Sequence, residues 1–367
     1  MEDIVLITGE AARYDYLDSM EFISSFEAIK CITAGHYTRP CLSAIHSSTY
    51  EAAVNTRPVR PTLAEILDRN GYTCIGLTTN PQADGSFGFD RGFEFYDNFT
   101  EAGSRGSKLR EYLSQFKIVQ KVYQWMFSWH KRRYERPSDS EVVDKAVKKF
   151  NEAESPRFLW IHMMESHRPY GEGEKGISPE LNRKAKFHPG RITEEERKEI
   201  EEAYSNSLSR VDSLVEDLLD RIDSDPIFAF LGDHGELLGD HGFYFHPPHE
   251  RVMEDEITQV PLVFRDLDID SEVVSQIDVA STLVSAAGLD LPDSWQGRDL
   301  TEEERQEFLT FAPRYGTAHA LWQDSESRIF MRDGEVVFER KGDKSSVEDV
   351  DKSERVKKRL RDFGYIE

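Results

Sequence analysis

Four short apolar runs stand out along the chain, and each has the length of a β-strand. They are DIVLIT (3–8), YTCIGLTT (72–79), PRFLWIHMM (156–164) and PIFAFLG (226–232). Their apolar residues are continuous rather than alternating with polar ones, which is typical of strands covered on both faces in a parallel sheet. We therefore predict that these runs form the central strands of a buried sheet.

Segments with helical spacing of apolar residues separate these runs, over 61–72, 140–154 and 192–222. Alternation of strand and helix predicts an α/β fold with a doubly wound, mostly parallel sheet. In such sheets ligands bind beyond the carboxyl ends of the strands. The residues that follow the four runs there are Glu10, Asn80, Glu165 with His167, and the stretch GDHGELLGDHGFYFHPPHE.

The C-terminal part of the chain has a different pattern. RIFMRDGEVVFER (328–340) contains two β-rich runs around Asp333-Gly334, which favours a two-residue hairpin, and the charged residues after it are helix-prone. We predict a main α/β domain over 1–305 and a small antiparallel subdomain over 306–367 that ends in a helix.

The composition describes an acidic globular protein. Its 367 residues are 38% hydrophobic and 31% charged, enough for a large core, and the formal net charge is -23. Such a surface repels nucleic acid, so we predict no nucleic-acid partner. Two interpretations of the acidity stay open: an ordinary solubilising surface, or the hydrated surface of a halophilic protein.

Cysteine usage and the N-terminal sequence indicate a compartment. Cys31, Cys41 and Cys74 have no paired spacing, so neither a disulfide framework nor a zinc knuckle is predicted. The chain begins with a strand-like run rather than a signal segment, and no apolar run approaches the ~18 residues of a membrane span. These features predict a cytoplasmic, soluble protein.

One basic and aromatic segment departs from the acidic trend. Between Arg105 and Arg136 there are nine Lys or Arg residues and two Glu residues, interleaved with aromatic side chains. We treat 103–138 as an insertion or lid, which could lie on an anionic membrane or cover an acidic substrate. The alternative is a helix that covers the sheet edge or an oligomer contact, and the oligomeric state is not predicted.

Asp233-His234, directly after a buried run, is the sharpest local feature. A carboxylate suits Ca²⁺, Mg²⁺ or Mn²⁺, and an imidazole suits Zn²⁺ or Mn²⁺. The alternative is a capping aspartate beside a core histidine. More potential ligands follow within sixteen residues: Glu236, Asp240, His241, His246 and His249.

Glu10 and Thr38 each allow two interpretations. Glu10 precedes the helix-prone AARYDYL, where a carboxylate would complement the helix dipole, or it is a metal ligand. Thr38, two residues before Pro40, is typical of a helix start. A nucleophilic threonine would need a metal ion to lower the pKa of its hydroxyl, and a helix N-terminus would favour an anion beside it.

Taken together and in order, several segments resemble the sulfatase family of the alkaline-phosphatase superfamily. They are DIVLITGEAARYDYL, YTRPCLSAIHSS, RPTLAEILDRNGYTCIGLTTNPQADGSFGFDRGFEFYDNF, FLWIHMMESHRPY, FLGDHGELLGDHGFYFHP, and VPLVFR through SQIDVASTLVSAAGLDLPDSWQGRDL, so the resemblance covers approximately residues 3 to 300. It implies an alkaline-phosphatase-like fold and a metal-dependent hydrolase of sulfate or phosphate esters.

The resemblance also implies roles for single residues. Ligands of one divalent metal ion, Ca²⁺, Mg²⁺ or Mn²⁺ rather than Zn²⁺, would be Glu10, Thr38, Asp233 and His234. Thr38 occupies the nucleophile position, and His167 and His246 match groups that touch the substrate anion or the leaving group. Candidate substrate-binding residues are Asn80, Arg39 and His241. His241 and His249 also remain candidate extra metal ligands.

The chain departs from the family signature C-x-P-S-R, because it has TRPCL at this point. Thr38 cannot become formylglycine, Cys41 replaces the serine, and Leu42 replaces the arginine. Gly9 removes a second acidic ligand. We expect Cys41 to be a buried packing residue, and Ser205, where related chains often carry aspartate, gives no second metal cage.

Three functional hypotheses follow. The first is hydrolysis of a small-molecule or glycan ester through Thr38, which favours phosphate esters or phosphonates over sulfates. The second is phosphoryl transfer to a lipid or glycan, with 105–136 as a membrane-surface element. The third is a catalytically degenerate family member that binds an anionic glycan.

Overall fold

The computed structural model describes residues 1–99, 137–170, 176–246 and 253–313, followed by the strand residues 319–322, 328–332, 335–341 and 344–346. Several sequence-based predictions therefore lie outside the described residues. They are the basic aromatic segment 105–136, the turn at Asp333-Gly334, the C-terminal helix and the role of His249.

An eight-stranded sheet forms the centre of the fold, in the order β10-β2-β9-β6-β1-β5-β3-β4. All neighbours are parallel except β9, which runs antiparallel to both β2 and β6. The prediction of a doubly wound, mostly parallel α/β sheet is confirmed. Its strands are β1 (Ile4–Gly9), β2 (Ala28–Ile32), β3 (Thr73–Thr78), β4 (Phe95–Asp97), β5 (Arg157–Met163), β6 (Ile227–Gly232), β9 (Gln259–Arg265) and β10 (Val273–Ser275).

The four predicted strands are β1, β3, β5 and β6, each within one residue of the apolar run that indicated it. The sequence pattern did not indicate β2, β4 or β10, because these strands are short and partly polar. A two-stranded ribbon, β7 (Leu237–Leu238) with β8 (Tyr244–Phe245), follows β6.

The described residues contain nine α-helices, which flank the sheet. They are α1 (Glu21–Ser24), α2 (Thr38–Ser47), α3 (Tyr50–Asn55), α4 (Leu63–Arg69), α5 (Asp139–Glu152), α6 (Pro179–Phe187), α7 (Glu194–Arg221), α8 (Asp255–Thr258) and α9 (Asp278–Ala286). Helices α4, α5 and α7 begin with capping boxes at Thr62, Ser138 and Thr193, so their starts are encoded locally.

Two apolar layers cover the sheet. Val5 and Ile7 of β1 pack with α5 and α7 on one face, whereas Ile4 and Leu6 pack with α2, α4 and α9 on the other. Successive side chains of a strand point to opposite faces, so a strand between two helix layers must be apolar at every position. This explains the continuous apolar run that indicated β1.

The C-terminal residues form a small antiparallel sheet, as predicted, and it contains five described strands. Its first strand contacts the main sheet, since Phe311 N donates to Ala34 O at 3.0 Å and Thr310 Oγ1 donates to Thr33 O at 2.6 Å. The strands are β11 (Phe308–Phe311), β12 (His319–Trp322), β13 (Arg328–Arg332), β14 (Glu335–Lys341) and β15 (Lys344–Ser346).

No helix among the described residues is long and apolar enough to cross a membrane.

Candidate active site

Polar side chains converge at the carboxyl end of the central strands. Gly9, the last residue of β1, is in register with Met163 of β5 and Gly232 of β6. The residues that follow these strand ends therefore meet at one edge of the sheet. The side chains that meet there are all at least nine-tenths buried: Glu10, Thr38, Asn80, His162, Asp233 and His234.

The Glu10 carboxylate is the centre of this group. Its Oε2 accepts a hydrogen bond from Asn80 Nδ2 at 2.7 Å and lies 3.0 Å from His162 Nε2. The 3₁₀ helix that follows, Tyr14–Ser19, has Arg13 as its N-cap and no side-chain capping bond. The interpretation of Glu10 as a helix cap is therefore wrong, because its carboxylate faces the site.

Thr38 is the first residue of α2 rather than its cap. The N-cap is Tyr37, and no side chain caps the helix. Thr38 Oγ1 lies 3.2 Å from both Glu10 oxygens, to which it donates, and 3.3 Å from His234 Nε2. We expected Thr38 at the helix cap, whereas it lies one residue after the cap. Its hydroxyl therefore faces the buried group at the N-terminus of the helix.

Asp233 and His234 are oriented by backbone groups. Asp233 Oδ1 accepts from Ala11 N at 2.8 Å and from His234 N at 2.7 Å, whereas its Oδ2 is buried with no hydrogen-bond partner. His234 Nδ1 donates to Gly235 O at 2.7 Å, because a carbonyl can only accept. Nε2 is therefore the nitrogen that faces Glu10 and Thr38.

The electrostatics of the group favour a bound cation. Burial acts to raise the pKa of Glu10, but hydrogen bonds from His162 and His234 outweigh it and hold the pKa well below its ordinary value. Burial raises the pKa of Asp233 to about 6. Burial acts to lower the pKa of His234, but Asp233 and Glu10 outweigh it and raise the pKa to about 10.

The donor set fits a divalent metal ion. Ligand atoms of Glu10, His162 and Asp233 lie within 4.8 Å of one another. The buried Oδ2 of Asp233 has no hydrogen-bond partner among the described residues, so it is available to a cation. Carboxylate oxygens with imidazole nitrogens suit hard or borderline divalent cations. The group can therefore hold a metal ion, with His234 Nε2 and Thr38 Oγ1 at hand to complete its ligands.

His162 is the residue that the sequence reasoning missed. It lies within β5, in register with Thr8 and Thr78, and Thr8 Oγ1 is 2.9 Å from its Nδ1. The rule for strand ends considers only the residues that follow each strand, so it did not identify His162, which lies inside β5. The available signal was a lone histidine close to the carboxyl end of an otherwise apolar run.

The remaining predicted site residues occupy the surroundings. The exposed His246 has its ring 5.8 Å from that of His234, and half-buried His167 donates from Nδ1 to Arg168 O at 2.6 Å. The Arg39 guanidinium lies 3.6 Å from the Phe87 ring centroid.

His241 contacts a different pair of carboxylates. Its Nε2 lies 3.4 Å from Glu256 and 3.7 Å from Glu254, and these three form a second, partly exposed group of potential ligands. The contacts of His241 are thus on the α8 side of the ribbon, and its predicted substrate contact remains untested.

A sequence model described as Sulfatase matches residues 2–289. The chain belongs to the sulfatase family. Among curated proteins, this sulfatase-family chain is 23% identical to an arylsulfatase of Clostridium perfringens over 157 residues, which are 39% of this chain and 32% of that protein. The aligned part thus spans about a third of that relative.

Solved structures share the fold of this family member. A 2-O glycosaminoglycan sulfatase, BT1596, superposes with a TM-score of 0.68 at 14% identity, covering 99% of this chain and 91% of that chain. The lipoteichoic acid synthase LtaP of Listeria monocytogenes gives a TM-score of 0.63 at 15% identity, with coverage of 99% and 90%. At such identities these likenesses show the alkaline-phosphatase-like fold alone.

Proposed function

We propose that the protein is a metal-dependent hydrolase that cleaves phosphate or sulfate esters through Thr38. The observation that carries the proposal is the buried Thr38 hydroxyl, held 3.2 Å from Glu10 and 3.3 Å from His234 Nε2 at the start of a helix. A bound divalent cation would lower the pKa of this hydroxyl and neutralise charge on the ester.

The residues of the chain supply the remaining steps. Thr38 Oγ1 gives its proton to solvent and forms a bond to phosphorus or sulfur while the ester bond to the alcohol breaks. A protonated His167 gives its proton to the departing oxygen, and the neutral His246 can hydrogen-bond the ester. Water then attacks the Thr38 ester, which releases the inorganic anion and restores the hydroxyl. The Asn80 amide keeps Glu10 in place, since its Oδ1 accepts from Gln82 N and fixes the orientation of Nδ2.

Three side chains favour phosphate over sulfate as the group transferred. Threonine cannot be converted to formylglycine, and Leu42, at the position of the family arginine, is fully buried in the apolar layer under α2. Cys41 is also fully buried, and burial raises the pKa of its thiol well above the ordinary value, as expected of a packing residue. No cationic partner for an aldehyde hydrate is thus available at position 42.

Replacing Thr38 tests the nucleophile. Thr38→Ala should reduce turnover of 4-nitrophenyl phosphate, phosphodiester, phosphonate and sulfate substrates by at least about a thousandfold, while Glu10, His162 and Asp233 should still hold the metal ion at saturating Mn²⁺. Thr38→Ser keeps the hydroxyl and should retain turnover. If Thr38→Ala retained the activity of the wild-type protein with bound Mn²⁺, the assignment of the nucleophile would be wrong.

Transfer to an acceptor alcohol is the second candidate function. It is favoured by Thr38, by the structural likeness to a lipoteichoic acid synthase, and by the expectation that 105–136 contacts a membrane surface. Product analysis in the presence of glycerol separates the two functions: a hydrolase releases inorganic phosphate at the rate of 4-nitrophenol, whereas a transferase releases 4-nitrophenol faster than phosphate.

A further inference from the structure

Arg168 lies beside the proposed site. It follows His167 after β5, its guanidinium lies 5.0 Å from the Phe245 ring centroid, and its Nη1 donates to Asn182 Oδ1 at 3.3 Å. Phe245 directly precedes His246, whose ring is 5.8 Å from that of His234. Arg168 is therefore held between α6 and the β7–β8 ribbon, on the side of the buried group where His246 lies.

Lys186 extends this cationic side. It lies four residues after Asn182 in α6, and residues at this spacing share one face of a helix. Partial burial lowers the pKa of Lys186, and the Arg168 charge lowers it further. The geometry that relates the two cations is Asn182, which accepts from Arg168 and lies one helical turn before the exposed Lys186 in α6.

Neither cation has a carboxylate partner. No Asp or Glu oxygen of the described residues lies within 4.0 Å of Arg168 or Lys186, and Arg168 Nε is buried with no hydrogen-bond partner. The buried Arg13, Arg157 and Arg305 are all paired with aspartates. In a chain with a formal net charge of -23, two cations without a carboxylate partner among the described residues, one beside the proposed site and one in the helix that holds it, indicate a place for an external anion.

We propose that Arg168 and Lys186 form a subsite for a second anionic group of the substrate, beyond the ester that Thr38 attacks. The inference rests on the proposed function and narrows its substrate class to polyanions, such as a glycan or polyol that carries more than one phosphate or sulfate. Arg168 offers a planar, half-buried guanidinium beside the Phe245 ring, and Lys186 offers a solvent-exposed charge at the end of a flexible side chain.

Binding of non-hydrolysable phosphonates tests the subsite without any turnover. Alkyl monophosphonates and α,ω-alkane bisphosphonates of increasing chain length would be titrated calorimetrically into the Mn²⁺-loaded protein. We expect the bisphosphonate of matching length to bind about three- to tenfold tighter than the monophosphonate of the same length. This gain should exceed the roughly twofold statistical advantage of two equivalent ends and should shrink as salt increases.

Substitutions identify the residues responsible. Arg168→Met and Lys186→Met should each remove most of the gain for bisphosphonates while leaving monophosphonate affinity within about twofold of wild type. Lys148→Met, at an exposed lysine of α5, is the matched control for loss of one positive charge and should keep the gain. Thermal unfolding would verify that each variant is folded. If Arg168→Met does not fold, Lys186→Met, which changes an exposed side chain, still tests the subsite.

Three outcomes would overturn the inference. Bisphosphonates that bind no tighter than monophosphonates at any length would exclude a second-anion subsite while leaving the proposed function intact. Equal weakening of both compounds in Arg168→Met and Lys186→Met would mean that these cations act on the reacting group itself. A holoprotein that binds neither compound would overturn the proposed function together with the subsite.

Discussion

Single residues in this site gain their chemistry from burial. A glutamate and a threonine near helix starts are ordinary in sequence, yet Glu10 and Thr38 are 2% and 4% exposed and face each other across 3.2 Å. A buried carboxylate pair with an unpartnered Oδ2 on Asp233 is unfavourable unless a cation compensates it. Burial thus converts common residue types into a group that is suited to a metal ion.

Gly9 lies close to the ring of Phe230 in β6. A Cβ atom at this position would lie 3.1 Å from Phe230 Cζ, inside ordinary contact distance. A larger side chain would therefore push against the β6 ring. The packing of β1 against β6 therefore favours glycine at position 9.

Asp233→Asn should strongly weaken metal binding. The substitution removes a charged ligand for a hard cation, so the affinity for Mn²⁺ measured by calorimetry should fall by at least about a hundredfold. Asp217→Asn, at an exposed aspartate of α7, is the matched control and should bind Mn²⁺ as wild type does. Unchanged affinity in Asp233→Asn would show that the ion binds elsewhere.

At the scale of elements, the turn between β2 and α2 sets the position of Thr38. A Cβ atom on Gly35 would lie 2.7 Å from the Pro40 ring, so only glycine allows the chain to pass this close to the first turn of α2. Thr33 Oγ1 donates to Gly35 O at 2.6 Å and holds the turn. The helix start thus points its first side chain, Thr38, toward the end of β1.

Helix α2 also carries a buried histidine beneath the site. The His46 ring packs edge-on against Trp160 of β5 with centroids 4.2 Å apart, and its Nε2 has no hydrogen-bond partner. Burial lowers the pKa of His46 to about 3. The folded protein therefore keeps this imidazole neutral at pH values where an unfolded chain would protonate it.

His46 should make the fold sensitive to acid. Between about pH 6.5 and pH 3 the unfolded state binds a proton that the folded state excludes, so stability falls as pH drops through this window. We expect His46 to account for about 1–2 kcal/mol of the loss between pH 7.5 and pH 5. Thermal and urea unfolding of His46→Leu should show a smaller loss, whereas the exposed His188→Leu control should match wild type.

At the scale of the whole molecule, the acidic surface is the dominant property. Its excess of 69 acidic over 46 basic residues creates self-repulsion that destabilises the compact state. Arg168 and Lys186, which have no carboxylate partner among the described residues, are positive charges within this acidic chain. The field would also disfavour approach of anionic substrates at low salt.

Salt should stabilise the protein. Raising KCl from 0.1 M to 1 M shortens the screening length from about 10 Å to about 3 Å, so the melting temperature should rise by several degrees at fixed Mn²⁺. A plateau above 1 M would favour an ordinary acidic surface, whereas a further rise would favour a halophilic protein. A melting temperature that falls over the first interval would contradict the role given to self-repulsion.

The sequence was sufficient to predict the central strands, the fold class and most of the side chains that come together at the carboxyl end of these strands. Continuous apolar runs identify β1, β3, β5 and β6 because both faces of these strands are covered, and the rule for strand ends then leads to Glu10, Asn80 and Asp233-His234. The sequence pattern did not predict the antiparallel direction of β9, because its pairing partners are distant in the chain. It also did not predict β2, β4 and β10, because these strands are short and partly polar.

Residue type and order determined which groups could react, and only the tertiary structure decided which of them meet. Whether Glu10 caps a helix or faces Thr38 depends on the register of β1 with β5 and β6 and on the turn at Gly35, contacts that join segments up to 223 residues apart. The same assembly brings His162 to Glu10 and, among the described residues, leaves Arg168 and Lys186 without a carboxylate partner. Such outcomes depend on distances and burial, which local sequence patterns do not specify.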